Sequence, residues 1–124
     1  ILFGNGGSAA DAQHIAAEFI GRFQKKRSSL PAIALTTDSS IITSIGNDFS
    51  FETIFSRQCE ALLNSNDVVF AISTSGSSVN VINGVKIANQ KKATVISLVG
   101  NNGLLSIEYN SSKIGCFGAW KFFG

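Results

Sequence analysis

The sequence predicts an α/β fold built on a central parallel sheet, and three observations predict it. Apolar runs alternate along the chain with segments of helical period. The runs "DVVFAIS" and "ATVISLV" are continuously apolar and bounded by turns, as strands covered on both faces are. Two runs, "ILF" and "VVFAIS", end in small residues that lead directly into helical patterns, which is the strand-turn-helix unit of a parallel sheet.

Each element follows in order. "ILF" is the first strand and "GNGG" the turn after it. Ser8, with Asp11 three residues on, gives an N-cap signal; Ala12, Ile15, Ala16, Phe19, Ile20 and Phe23 then recur at helical spacing, so a helix is expected from about Ala9 to Phe23. "PAIALTT" is expected to form a second strand after Pro31, and "SSIITSIGNDF" a short helix closing on the turn-prone Gly46, Asn47 and Asp48. "FETIFSRQCEALL" is helical by its apolar spacing, and "NSND" breaks the chain before the strand "DVVFAIS". "TSGSSVNVINGVKIANQ" gives a polar turn and then a helix despite Gly84, and "ATVISLV" the last strand. Beyond Gly100 neither a helical nor an alternating period is clear, and the aromatics of "GCFGAWKFFG" have no obvious cover.

Composition narrows the function. A chain of 124 residues suits one domain with its own core, and 44% hydrophobic against 15% charged residues is a globular balance rather than a disordered one. The net charge of +2 is small and the basic residues are scattered, apart from Lys25, Lys26 and Arg27, which read as a solvated loop; nucleic-acid binding has no support here. Cys59 and Cys116 have no metal-type spacing and make no disulfide framework, which points to a reducing, cytoplasmic setting. Apolar runs fall far short of the ~20 residues that span a bilayer, so no membrane role is expected. The chain opens on Ile1 inside a strand pattern and contains no methionine, so whatever precedes that strand is expected to be missing.

Two junctions carry the candidate chemistry. In "LFGNGGSAA" and "AISTSGSSVN" a buried strand ends in small residues and a helix begins with free N–H groups and its positive dipole end outward, the arrangement that binds anions. The second adds the hydroxyls of Ser73, Thr74, Ser75, Ser77 and Ser78, a cradle suited to a phosphate dianion without a lysine. Neither matches the dinucleotide or P-loop fingerprint. A serine-rich turn with ordinary capping has the same composition. His14 and Glu18, four apart on the first helix, share a side of it; they suit a general base beside a bound sugar phosphate, a divalent-metal site, or a plain surface pair. Asn47 and Asp48 stand at a further turn that either faces the same crevice or is turn chemistry alone.

Taken together, "GNGGSAADAQHIAAEFIGRF", "LPAIALTTD", "IGNDFSFETIFSRQCEAL" and "DVVFAISTSGSSVNV" resemble the sugar isomerase (SIS) domain of the phosphoheptose isomerase, or sedoheptulose 7-phosphate isomerase, family over roughly Ile1 to Gly100. The resemblance implies a flavodoxin-like three-layer α/β sandwich, a single SIS domain over 1–124, and a homotetramer. It implies conversion of sedoheptulose 7-phosphate into D-glycero-D-manno-heptose 7-phosphate for bacterial heptose and lipopolysaccharide synthesis. On these positions it implies substrate contacts from Asn5, Gly6, Gly7, Glu18, Asn47 and Asp48, and a phosphate held by Ser73, Thr74, Ser75 and Ser78. His14 and Glu18 would be zinc ligands, with one zinc per subunit in the family and Glu18 also the base that moves a proton through an enediol. Two departures stand out: the family's helices before the first strand are absent, and its later glutamine and histidine motif has no match after Gly100, which makes 101–124 a divergent tail and leaves the zinc site incomplete. The rival is a non-catalytic SIS-domain protein that binds a replication initiator, or a module that senses sugar phosphates. Glu18 favours the isomerase, because the initiator-binding relatives lack a glutamate there.

Overall fold

The computed structural model describes residues 1–100; the tail expectations for 101–124 lie outside them. Among the described residues three strands, β1 (Leu2–Gly4), β2 (Val68–Ser73) and β3 (Thr94–Val99), form one parallel sheet in the order β1-β2-β3. The helices are α1 (Gly7–Ile20), α2 (Ser39–Asp48), α3 (Ile54–Leu62) and α4 (Val79–Gln90), with a 3-10 turn at Phe51–Thr53 leading into α3.

Alternation along the strands sends successive side chains to opposite faces, and each face has its own cover. Phe3, Val69, Ala71 and Val95 pack against α3 and α4 through Phe55, Cys59, Val81, Val85 and Ala88. Leu2 and Ile72 pack on the other side against Ala12 and Ala16 of α1. The result is the three-layer sandwich expected. The Phe3 and Phe55 rings stack with centroids 5.0 Å apart. Gly84 sits in mid-helix because a Cβ there would meet the Phe3 ring at 2.8 Å and 2.9 Å, so close helix-sheet approach outweighs the poor helix propensity of glycine.

Two local expectations are corrected. The segment "PAIALTT" makes no strand: it touches the sheet through a single parallel bridge, Leu2↔Ala34, held by Leu2 N to Ile33 O at 2.8 Å and Leu35 N to Leu2 O at 2.9 Å. β1 is only three residues long, Pro31 has no N–H to donate, and Leu35 already turns toward α2, so there is little to pair with. α1 starts earlier than the Ser8 signal suggests. Its cap is Gly6, at φ 55° and ψ −119°, with no side-chain capping bond, and Ser8 is buried in the first turn. α2 closes on Gly46, Asn47 and Asp48 as expected, with its cap at Phe49, whose N–H donates to Ile45 O at 3.0 Å. Its start is the stronger signal: Asp38 accepts from Ile41 N at 2.9 Å.

With the Ala34 bridge counted on the outer side of β1, the chain leaves β1 in one direction over α1 and returns by α2 and α3 to β2 on the other side. β1 and β2 therefore flank a topological switch point, where the crevice at the carboxyl ends of parallel strands takes ligands.

Candidate active site

The carboxyl ends of β1 and β2 bring the two junctions together. Gly4 pairs with Ile72 and Ser73 with Val99, so Asn5 and Ser73 leave the sheet at the same level. Gly4 is held by contact: a Cβ there would lie 2.6 Å from Ile72 O and 2.7 Å from Ser8 Cβ. The backbone then turns through Gly6, and Asn5 O and Gly6 O accept from the first amides of α1.

The loop from Ser73 to Ser78 is organised by its own hydroxyls. Ser73 Oγ, on a buried side chain, accepts from Gly76 N at 3.1 Å and lies 3.3 Å from Ser78 Oγ. Ser75 Oγ accepts from Ser77 N at 3.2 Å and lies 3.1 Å from Ser77 Oγ. Gly76 takes φ +66°, which turns the loop back toward α4. Thr74 and Ser75 are exposed at the crest, and Thr74 O accepts from Gly100 N at 3.1 Å, tying the loop to the end of β3. The Ser78 side chain makes no capping bond to α4, so its hydroxyl and the first N–H groups of the helix remain at the mouth. A dianion placed there meets donors and a positive dipole end without a positive side chain.

A residue absent from the expectations joins the two turns. Asn80, buried in the first turn of α4, exchanges both amide bonds with Asn5: Asn5 Nδ2 to Asn80 Oδ1 at 2.8 Å and Asn80 Nδ2 to Asn5 Oδ1 at 2.9 Å. The signal for it was legible. Asn80 lies on the apolar stripe of Val81, Gly84, Val85 and Ala88, and a polar side chain on a buried stripe requires a partner.

His14 and Glu18 are brought together, with Nε2 and Oε1 3.3 Å apart, but not to the cradle. At 1.5 Å per residue, His14 stands about 10 Å and Glu18 about 16 Å along α1 from Gly7. They line a separate cleft of about 440 Å³ with Phe19, Phe23 and Arg27. Arg27 is no free loop cation: its guanidinium donates to Glu18 O at 2.7 Å and Phe19 O at 2.8 Å, closing the carboxyl end of α1. Asn47 and Asp48, the last residues of α2, bond to each other, Asn47 Nδ2 donating to Asp48 Oδ1 at 2.9 Å. The His14 and Glu18 separation matches the edge of a tetrahedral zinc site with bonds of about 2.0–2.1 Å, yet zinc takes three or four protein ligands. Among the described residues no group of three or more His, Cys, Asp or Glu could hold a metal ion. These two donors alone do not fit a zinc ion. No helix among the described residues is long and apolar enough to cross a membrane.

A three-layer sandwich with paired glycine and serine turns at its switch point belongs to the flavodoxin-like class of α/β domains. The chain belongs to the SIS domain family, whose model matches residues 1–100. It is 64% identical over 103 residues to the phosphoheptose isomerase of Aquifex aeolicus, covering 83% of this chain and 54% of that protein. To the phosphoheptose isomerase of Synechocystis it is 53% identical over 109 residues, covering 88% and 56%. A solved phosphoheptose isomerase of Neisseria gonorrhoeae superimposes with a TM-score of 0.85 at 44% identity, covering 95% of this chain and 63% of that one. The chain thus spans about half the length of the curated relatives it matches. These relatives carry the isomerase name, and the initiator-binding and sensor alternatives are not favoured.

Proposed function

We propose that this chain is the sugar-phosphate-binding part of a phosphoheptose isomerase that converts sedoheptulose 7-phosphate into D-glycero-D-manno-heptose 7-phosphate. The observation that supports it most is the meeting of two helix-opening turns, Asn5–Gly7 and Ser73–Ser78, at one switch point in a chain 64% identical to an isomerase. The serine loop takes the phosphate on the hydroxyls of Ser75 and Ser78 and the N–H groups that open α4. The Asn5 turn takes hydroxyls of the sugar.

Glu18 is the proposed base. A carboxylate in this role removes a proton from C1 of the ketose and returns it to C2 of the enediol, while a hydroxyl proton passes from O1 to O2. The length of α1 separates Glu18 from its own cradle, so the reading pairs the cradle of one copy with the His14 and Glu18 pair of another. A homotetramer, the oligomer the resemblance implies, supplies such a partner. His14 and Glu18 are two donors of a zinc site that needs further ligands. A cytoplasmic place in heptose supply for lipopolysaccharide belongs to the same reading.

Calorimetry of the 124-residue chain with sedoheptulose 7-phosphate tests the cradle. Ser75→Glu places a carboxylate where the phosphate would lie and is expected to remove measurable binding while leaving the melting temperature within a few degrees, as an exposed substitution does. Equal affinity in parent and variant would remove the serine loop from the site.

A further inference from the structure

Asn80 is 4% exposed, and it stands at the second position of α4, where asparagine is a middling helix former at best. Its presence on the buried stripe needs another cause. A buried carboxamide is costly unless its donor and acceptor are met, and here both are met by one residue 75 positions away in the chain. That residue is Asn5, in the turn that faces the crevice.

The exchange has a geometric consequence. The backbone of the Asn5 turn is set by α1, through Asn5 O and Gly6 O, but those bonds leave the Asn5 side chain free to rotate about its own torsions. Two antiparallel amide bonds to Asn80 fix the plane of the carboxamide. They consume one N–H and one lone pair, leaving Asn5 one N–H and one lone pair to offer. Asn80 is itself rooted in α4, the helix whose opening N–H groups form the other half of the crevice. The pair therefore also sets the spacing between the turn and the serine loop.

We propose that Asn80 is a positioning residue: its carboxamide orients the Asn5 amide toward the sugar hydroxyls of a sugar phosphate, and so governs recognition of the sugar rather than of the phosphate. This rests on the reading of the crevice given above. Asn80 touches no ligand itself and acts through Asn5.

The test compares two ligands, sedoheptulose 7-phosphate and inorganic phosphate, on the 124-residue chain by NMR titration. The parent is expected to bind the sugar phosphate more tightly. Asn80→Ala is expected to lose about tenfold in affinity for sedoheptulose 7-phosphate, the size of one good hydrogen bond, and to keep its phosphate affinity within twofold. Asn80→Ser, with its small hydroxyl, serves as the second variant if the alanine form does not fold. Asn5→Ala is expected to show the same selective loss, and Asn5→Ala with Asn80→Ala no more than either alone, because one acts through the other. Losses that add in the double variant, or that fall equally on both ligands, would make Asn80 structural and overturn the proposal. A parent that discriminates between the ligands, with Asn80→Ala discriminating equally, overturns it while leaving the crevice reading intact. A parent that binds the sugar phosphate no better than phosphate overturns both.

Discussion

Cys59 lies fully buried on the core face of α3, and burial makes its thiol a poor acid: loss of solvation pushes its pKa from an ordinary value near 9 up to about 12. The folded chain holds the proton at a pH where the unfolded chain has lost it. Stability is therefore complete below about pH 9 and is expected to fall by about 1.4 kcal/mol per pH unit from there toward pH 12, which urea melts at pH 8, 9.5 and 10.5 would reveal, with Cys59→Ser flattening the slope. For His14 and Glu18, two donors predict weak zinc binding. Saturating zinc is expected to raise the melting temperature by less than the roughly 4–8 °C that 1 kcal/mol gives in a small domain, and His14→Ala is expected to abolish even that. A larger shift that survives His14→Ala would place the ligands elsewhere. At this scale the sequence offered candidates for chemistry but not which of them meet. The glycine and serine turns were legible as strand-to-helix junctions because small residues follow each apolar run; the separation of Glu18 from them needed only the helical rise, yet shared periodicity hid it. Gln58 behaves like Asn80: a polar group on the stripe of Ile54, Phe55 and Cys59, it donates to Leu35 O at 3.1 Å and Ile54 O at 2.9 Å.

Among the elements, α4 shows packing overriding propensity. Gly84→Ala would gain up to about 1 kcal/mol of helix propensity in an exposed site, but here the added methyl meets the Phe3 ring and lies 3.3 Å from Phe55 Cβ. Overpacking of this kind costs about 1–3 kcal/mol. A net loss of about 1–2 kcal/mol in urea denaturation is expected, and a gain would show that the Phe3 ring yields freely. α1, α3 and α4 were readable from apolar spacing because each turns an apolar stripe to one face of the sheet. The ends of α1 were not: the positive φ of Gly6 opened it ahead of Ser8, and it stops at Ile20 rather than Phe23. The lost strand at Ala34 has a different cause. A strand exists only by its partner, and the three residues of β1 offer too short an edge.

For the whole molecule, alternating elements made the parallel sheet legible, whereas its order was not, since pairing joins residues far apart in the chain. The apolar side chains left outside the core include Phe23, Ile33, Phe49 and Phe51, each at least 53% exposed. They agree with the self-association invoked above, and they set what size-exclusion chromatography should read: a mass above one chain. The same long-range pairing has a consequence in time. β2, α4 and β3 follow one another directly, but β1 must find β2 across the chain, with Leu2 opposite Phe70. Closing so long a loop comes late, because its entropy is spent before any contact repays it. The crevice between β1 and β2 is then among the last features to assemble. Phosphate, held only by the finished crevice, is expected to slow unfolding in stopped-flow experiments while leaving the refolding rate within about twofold. Faster refolding with phosphate would mean that β1 docks before the rate-limiting step, and that the binding site is part of the folding nucleus rather than its product.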